Sequence, residues 1–420
     1  MRIEILTTGT ELMLGTTSNT HPAWLGRELF ALGLRVQRQT SVPDGEAIGE
    51  ALAEALVRAE LVILTGGLGP TSDDVTRDQV AARFGVALRE DGAVLEAIRA
   101  YFRERGLTPG ANNARQAQVP EGAVVLGNGH GTAPGFILEG RPDTPQAGKA
   151  AVVLPGPPRE LQPMWRELVL PWLRERLGAA GGVRQRVWRV IGVGESKMEE
   201  MLDAPLQALG APGKVEVGYC AHLGDVDIRV VTAEPAHFGA ADRLIRDRLG
   251  AAVYGEGEDA LEEAVIRLAT ETGKKIATAE SCTGGLVAKR LTDVAGSSAA
   301  FEFGWVTYAN AAKTAELGVS AELLEAHGAV SEPVARAMAE GARERAGADV
   351  AVSLTGIAGP GGGTGDKPVG TLWLGLAVRG GETRAVSHRL PPRRTTFRHL
   401  ASQRALDLIR RALLEMRGTV

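Results

Sequence analysis

Cysteine, lysine and aromatic residues are scarce in this 420-residue chain, and each scarcity removes a class of explanation. Two cysteines, Cys220 and Cys282, cannot build a disulfide framework, which suits a reducing compartment. No apolar run approaches the roughly 20 residues that a helix needs to cross a bilayer. Met1-Arg2-Ile3-Glu4-Ile5-Leu6 reads as the start of a strand rather than a leader peptide. The expectation is a cytoplasmic protein without a membrane partner. The formal net charge is −4, so no generic grip on nucleic acid is expected. Lysine is the most telling shortage: eight among 47 basic residues. Arginine stays protonated near neutral pH, whereas a lysine can give up its proton when its environment disfavours charge. Each lysine beside a candidate site therefore invites a chemical reading, Lys313 above all.

What is present is alternation. Up to about residue 174, short apolar segments (Arg2–Thr7, Leu34–Thr40, Leu61–Leu64, Ala151–Leu154) are separated by helical stretches at Ala23–Leu32 and Ile48–Arg58. That pattern implies a mostly parallel sheet covered on both faces. Residues 175–252 read as a small α+β unit, with a hairpin at Val215–Tyr219 and Asp225–Val231 and an entry linker at Gly178–Gly182. From 253 to 420 the alternation resumes and closes with a long helix over Thr396–Met416. The fold class is α/β with a small α+β connector.

Thr278-Ala279-Glu280-Ser281-Cys282-Thr283-Gly284-Gly285 falls where a strand gives way to a helix. Ligands collect at the ends of strands in such sheets, and amides at a helix start can receive an oxyanion. Ser281 is well sited as a nucleophile, with the intrinsically more reactive Cys282 an equal rival and a plain helix cap the structural alternative. The seven histidines offer no evident base. Lys313, in Tyr308-Ala309-Asn310-Ala311-Ala312-Lys313, is the candidate, against the alternative of a surface lysine. Thr355-Gly356-Ile357-Ala358-Gly359-Pro360 ends a further strand, and Arg393, Arg394 and Arg398 form a basic cluster at the start of the last helix. These read either as a phosphate clamp or as a turn and a solvated face.

In the N-terminal part, Leu64-Thr65-Gly66-Gly67-Leu68-Gly69-Pro70-Thr71-Ser72-Asp73-Asp74 follows an apolar strand and leads to Asp78. Glycines ahead of a helix make an anion site, and the carboxylates could hold a hard cation or merely complement the helix dipole. Asp44, in Val42-Pro43-Asp44-Gly45, reads first as a turn residue.

Taken together, the three C-terminal motifs resemble the nicotinamide-nucleotide amidohydrolase domain of the CinA (competence/damage-inducible) family, over about 258–415. The resemblance implies hydrolysis of nicotinamide mononucleotide to nicotinate mononucleotide and ammonia, without a cofactor in that domain. Ser281 is then the nucleophile and Lys313 its base, with Tyr308 and Thr355 in the site. Thr283, Gly284, Gly285, Gly356, Gly359, Arg394 and Arg398 are implied substrate contacts. Pro392-Arg393-Arg394 stands where the family usually shows Gly-Asp-Arg. The N-terminal half resembles the molybdopterin-binding fold, in the CinA branch, through Gly9-Thr10-Glu11-Leu12, Ser18-Asn19-Thr20, Asn113-Ala114-Arg115-Gln116, Gly131-Thr132-Ala133-Pro134-Gly135 and Leu154-Pro155-Gly156-Pro157-Pro158.

That branch implies ADP-ribose pyrophosphatase activity with a divalent metal, Mg²⁺ or similar. Thr65, Gly66, Gly67, Gly69, Asn19 and Asn113 would bind substrate, and Glu11, Asp44, Asp74 and Asp78 would bind metal. The middle unit resembles the family's KH-type domain. Its Gly192-Val193-Gly194-Glu195 loop carries an acid where RNA phosphate would lie, so no specific nucleic-acid binding is expected. The expectation is a bifunctional pyridine-nucleotide salvage enzyme and a homodimer. The rival readings are a molybdopterin-handling protein and a non-catalytic competence or DNA-damage partner.

Overall fold

The computed structural model describes residues 1–177 and 182–418, in two compact units, Met1–Arg184 and Gln185–Val420. The linker expected at 178–182 lies almost wholly outside the described residues.

The first unit is built on a six-stranded sheet in the order Val36–Val42, Ile3–Thr8, Leu61–Thr65, Ala150–Leu154, Gly135–Glu139, Val124–Leu126. The first four strands run parallel and the last two turn antiparallel. Leu61–Thr65 and Ala150–Leu154 are buried throughout, which explains why they are apolar without alternation. On one face Ile3, Ile63 and Val152 pack against Leu25, Leu29 and Trp165. On the other, Leu64 and Val153 pack against Ile48, Leu52 and Phe84. The helix expected after the glycine loop is Thr76–Phe84, and a further one, Gly92–Glu104, went unseen in the sequence.

The second unit holds two sheets. A four-stranded one has the order Val215–Ala221, Asp225–Thr232, Arg184–Ile191, Val253–Glu256, and its first two strands form the expected hairpin. The larger has the order Phe301–Val306, Ile276–Glu280, Val350–Gly356, Thr371–Val378, Arg384–Arg389. Its first three strands are parallel and the last two antiparallel. Ala277, Ala279 and Ala351 face Val334 and Met338 of the Glu332–Ala346 helix. Val350, Val352 and Leu354 face Val265 of the Leu261–Thr272 helix, and Phe397 and Leu406 of the closing helix Arg394–Arg417. The parallel strands all point their C-terminal ends to the same edge, and Glu280, Val306 and Gly356 stand there.

Packing behind the sheet leaves no room at certain backbones. A Cβ on Gly341 of the Glu332–Ala346 helix would sit 1.9 Å from the carbonyl oxygen of Leu317. Glycine to alanine in a helix ordinarily stabilises by about 1 kcal/mol. Here the overlap is with backbone, which cannot swing away, so the sign reverses. Gly341→Ala should destabilise the second unit by about 1–3 kcal/mol, seen as a lowered midpoint in chemical denaturation. An unchanged or raised midpoint would mean the two helices can separate freely.

Candidate active sites

The nucleophile loop begins at Glu280, the last residue of a buried central strand. Ser281 N–H donates to Leu354 O (2.9 Å), which fixes the serine against the neighbouring strand end. Gly284 and Gly285 both take positive φ (59° and 89°), so the chain reverses at once into the helix Leu286–Asp293. Lys313 lies on a helix of its own, Asn310–Leu317, whose start is set by the strand before it. Its side chain is 1% exposed. Lys313 Nζ lies 3.1 Å from Ser281 Oγ, 2.9 Å from Thr307 O and 3.4 Å from Tyr308 O.

No carboxylate reaches Lys313 among the described residues, and burial pushes its pKa down. The amine sets its N–H groups on these two carbonyl oxygens and on the Ser281 hydroxyl, so the cage is built of neutral acceptors. Burial acts oppositely on Cys282, raising its thiol to about 12 and keeping it protonated. Of the two candidates left open in the sequence, Ser281 Oγ lies 3.1 Å from Lys313 Nζ, and Cys282 is a buried, protonated thiol.

A cavity of about 220 Å³ opens on this pair. Of the expected residues, Ser281, Lys313, Tyr308, Thr355, Gly356 and Arg394 line it. Arg394 donates to Tyr308 OH (3.0 Å) and to Gly359 O (3.3 Å). Thr355 Oγ1 donates to Ala329 O (2.7 Å). Thr283, Gly284, Gly285, Gly359 and Arg398 are not among the walls. Arg398 instead gives two hydrogen bonds, at 3.0 and 2.6 Å, to Thr283 O. Asn310, Ala329, Val330 and Ala358 were missed as wall residues. Asn310 sits within the Tyr308–Lys313 motif and could have been found; Ala329 and Val330 carry no chemical signal.

Two of the helix-start amides, those of Val287 and Ala288, are bonded to the buried Glu280 carboxylate (3.1 and 2.8 Å) and so are not open to an oxyanion. The N–H groups of Cys282 and Thr283 donate to no other residue among the described ones.

In the first unit a cavity of about 380 Å³ is lined by Gly66, Gly67, Gly69, Glu11, Asp44, Asp73, Asp74, Gln116, Thr132 and Glu160, among others. Gly66 and Gly67 have positive φ (102° and 64°), and a Cβ on Gly67 would lie 2.1 Å from Thr76 Oγ1. Buried Arg77, unremarked in the sequence, donates to Leu68 O (2.5 Å) and holds the glycine loop from behind. Thr65, Asn19 and Asn113 do not line this cavity. Thr65 Oγ1 meets His21 Nδ1 (2.9 Å), and burial lowers the His21 pKa. Asn19 donates to Thr7 Oγ1 and Ser41 Oγ (2.8 and 3.0 Å), and Asn113 to Gln116 Oε1 (3.1 Å).

Of the four expected metal ligands, Glu11, Asp44 and Asp74 line this cavity and Asp78 does not. Asp44 is occupied by Thr8 Oγ1, Thr10 N–H and Thr10 Oγ1 (2.7, 2.9 and 3.1 Å). Asp74 accepts from Thr71 N–H (2.9 Å) and its hydroxyl. Asp78 lies off the cavity and pairs with Arg115 at 3.4 Å. Among the described residues no three histidine, cysteine or acidic side chains meet in a way that could hold an ion.

Three family models match the chain in order. They are "Probable molybdopterin binding domain" over 4–175, "Damage-inducible protein CinA KH domain" over 185–255 and "CinA C-terminal domain" over 258–413. The protein is thus of a three-part α/β class, a molybdopterin-binding-like domain joined through a KH-type unit to a CinA C-terminal domain. The chain is 50% identical over 406 residues to a CinA-like protein of Akkermansia muciniphila, covering 97% of this chain and 96% of that one. It is 44% identical over 428 residues to a CinA-like protein of Gemmatimonas aurantiaca, covering 100% and 98%. The solved structure of competence/damage inducible protein CihA from Agrobacterium tumefaciens is 45% identical across 36% of this chain and 93% of its own, with a TM-score of 0.36. The chain belongs to the CinA family.

The two thiols differ in a way that is directly measurable. Cys220 is exposed and Cys282 buried. At pH 8 a mild alkylating reagent should modify Cys220 in the native protein and reach Cys282 only after denaturation, read as one and then two labels by mass spectrometry. Fast native labelling of Cys282 would reopen its candidacy as nucleophile.

Proposed function

We propose that the C-terminal domain hydrolyses the carboxamide of nicotinamide mononucleotide, releasing ammonia and nicotinate mononucleotide. The observation that carries this reading is a buried, uncompensated Lys313 amine 3.1 Å from Ser281 Oγ at the floor of a small cavity. As Ser281 Oγ attacks the carboxamide carbon, its proton passes to Lys313 Nζ. The carbonyl oxygen gains the charge, and the Cys282 and Thr283 N–H groups are the donors at hand for it. When the C–N bond breaks, Lys313 returns the proton to the leaving nitrogen, and ammonia departs. Water, deprotonated by the same amine, then cleaves the acyl–serine ester and regenerates the hydroxyl. Arg394 supplies a cation at the cavity wall for the nucleotide phosphate.

Ser281→Ala should lower ammonia release from nicotinamide mononucleotide by at least a thousandfold, and Cys282→Ala by less than about fivefold, consistent with removing a nucleophile rather than a neighbour. Lys313→Arg should be as inactive as Lys313→Ala, because arginine keeps charge but loses the lone pair. In the intact protein kcat should rise with pH, through an inflection below the ~10.4 of free lysine. Equal loss in Cys282→Ala and Ser281→Ala, with both folded, would refute the serine assignment.

We further propose that the N-terminal cavity takes ADP-ribose and cleaves its pyrophosphate. The supporting observation is the Gly66–Gly69 loop, which leads into the Thr76–Phe84 helix on the wall of that cavity. Glu11, Asp44 and Asp74 on the same wall are the oxygen donors at hand for the divalent metal that the resemblance implies. Gly67→Ala, strained at φ 64° and crowded against Thr76, should abolish ADP-ribose cleavage and spare ammonia release in the same sample. Retained cleavage would remove the loop from the site.

A further inference from the structure

Arg398 and Glu280 have no part in that mechanism, and they hold the same five residues from opposite sides. Glu280 is fully buried. Its carboxylate accepts one hydrogen bond from Val287 N–H and one from Ala288 N–H, with one oxygen for each. Burying a carboxylate is costly unless its oxygens are satisfied, and the first-turn amides with their dipole satisfy it. The bonds also tie the start of the nucleophile loop to its end, closing a ring around Ser281-Cys282-Thr283-Gly284-Gly285. Arg398 meets the ring at its middle, with Nε and one terminal nitrogen both on Thr283 O. A carbonyl that receives two charge-assisted donors is firmly oriented, and the peptide that carries it turns with it.

Their placement matters because the loop has few other restraints. Ser281 N–H is bonded to Leu354 O, and Gly284 N–H closes a turn on Ser281 O. Thr283 Oγ1 is buried without a partner, so the threonine side chain anchors nothing. Next come two consecutive glycines with positive φ, the most deformable backbone a loop can have. Remove either clamp, and the residues between the serine and the helix are free to rotate their amides.

Arg398 is also poorly placed to bind substrate. It does not line the cavity, and its guanidinium is committed to Thr283, whereas Arg394, four residues earlier on the same helix, does line it.

We infer that Arg398 and Glu280 are positioning residues that set the Ser281–Gly285 loop for amide attack, and that Arg398 is not a phosphate contact. This rests on the deamidase reading and narrows it. The two arginines then divide the labour. Arg394 determines how tightly the nucleotide binds, and Arg398 how fast the bound amide reacts.

The test uses the full-length protein with nicotinamide mononucleotide, and the split between kcat and KM separates the roles. Arg398→Ala should lower kcat on the order of a hundredfold, the usual scale for a small misplacement of reacting groups, with KM within about threefold. Arg394→Ala should do the reverse, raising KM at least tenfold with a smaller loss in kcat. Arg398→Lys, which can place one donor on Thr283 O, should recover part of the lost kcat. Glu280→Gln keeps the shape but offers one acceptor for two amides, and should also lose kcat at nearly constant KM.

If Glu280→Gln does not fold, the arginine variants alone decide. A second measurement avoids turnover: in a Ser281→Ala background, Arg398→Ala should change nucleotide affinity by less than about threefold in titration calorimetry. An affinity loss of tenfold or more, or an Arg398→Ala effect confined to KM, would overturn the inference and restore Arg398 as a phosphate ligand. Absence of ammonia release by the unmodified protein would instead overturn the deamidase reading itself, so the two failures are distinct.

Discussion

A lysine amine buried to 1% exposure with no anion beside it is the constraint on which the C-terminal domain turns. Such a group is stable in its charged form only with compensation, and this site supplies two carbonyl oxygens and a hydroxyl instead of a carboxylate. Burial without a paired carboxylate disfavours the charged form and lowers the amine's pKa. The surrounding elements all bear on this. The Phe301–Val306 strand delivers Thr307 and Tyr308, whose carbonyls receive the amine. The central strand delivers Ser281, and the third parallel strand delivers Leu354 O to hold it. Three adjacent strand ends in one parallel set are needed for the arrangement, which is why it appears at the carboxyl edge of the sheet.

The two cavities share an architectural logic without sharing chemistry. In each, a central buried strand ends in Thr-Gly: Thr65-Gly66 in the first unit and Thr355-Gly356 in the second. Each threonine is 1% exposed. Thr65 meets His21 and Thr355 meets Ala329 O, so both hydroxyls pin a neighbouring segment against the strand end. The loops beyond these strand ends differ. After Gly66 the chain makes a glycine turn held by Arg77, while after Gly356 the chain runs past Ala358 into a loop anchored by Arg394 on Gly359 O. The likeness of the two sequences is a likeness of strand-end requirements, and the flanks are free to diverge.

Much of this was legible in the sequence, and the rest was hidden for identifiable reasons. Wholly apolar or alternating segments were read closely: Leu61–Leu64, Ala151–Leu154 and Asp225–Val231 fall within the strands Leu61–Thr65, Ala150–Leu154 and Asp225–Thr232. The helix expected after the glycine loop stands at Thr76–Phe84, whereas the Gly92–Glu104 helix was not read. Ser281 and Lys313 were legible as types, a serine at a strand-to-helix turn and a rare lysine. Their distance was not, because 32 residues separate them in sequence. The carboxylates of the first unit were legible as charges, and their partners were not: Asp44 meets Thr8, Asp74 meets Thr71 and Asp78 meets Arg115 once the chain folds. Sequence shows which groups are chemically able; it does not show which are already taken.

The same principle explains the distribution of basic residues around Ser281. Arg394, Arg398 and Lys313 all lie within hydrogen-bonding reach of the cavity wall or the nucleophile loop, but in very different surroundings. A guanidinium is planar, permanently charged and able to give two parallel donors, so it suits fixing a carbonyl or meeting a phosphate. Neither task survives loss of charge. The position facing the serine is buried among neutral acceptors, where a charge that cannot be given up is costly. In a chain that uses arginine for most of its positive charge, this position carries a lysine, the one basic side chain of the two whose proton burial can loosen.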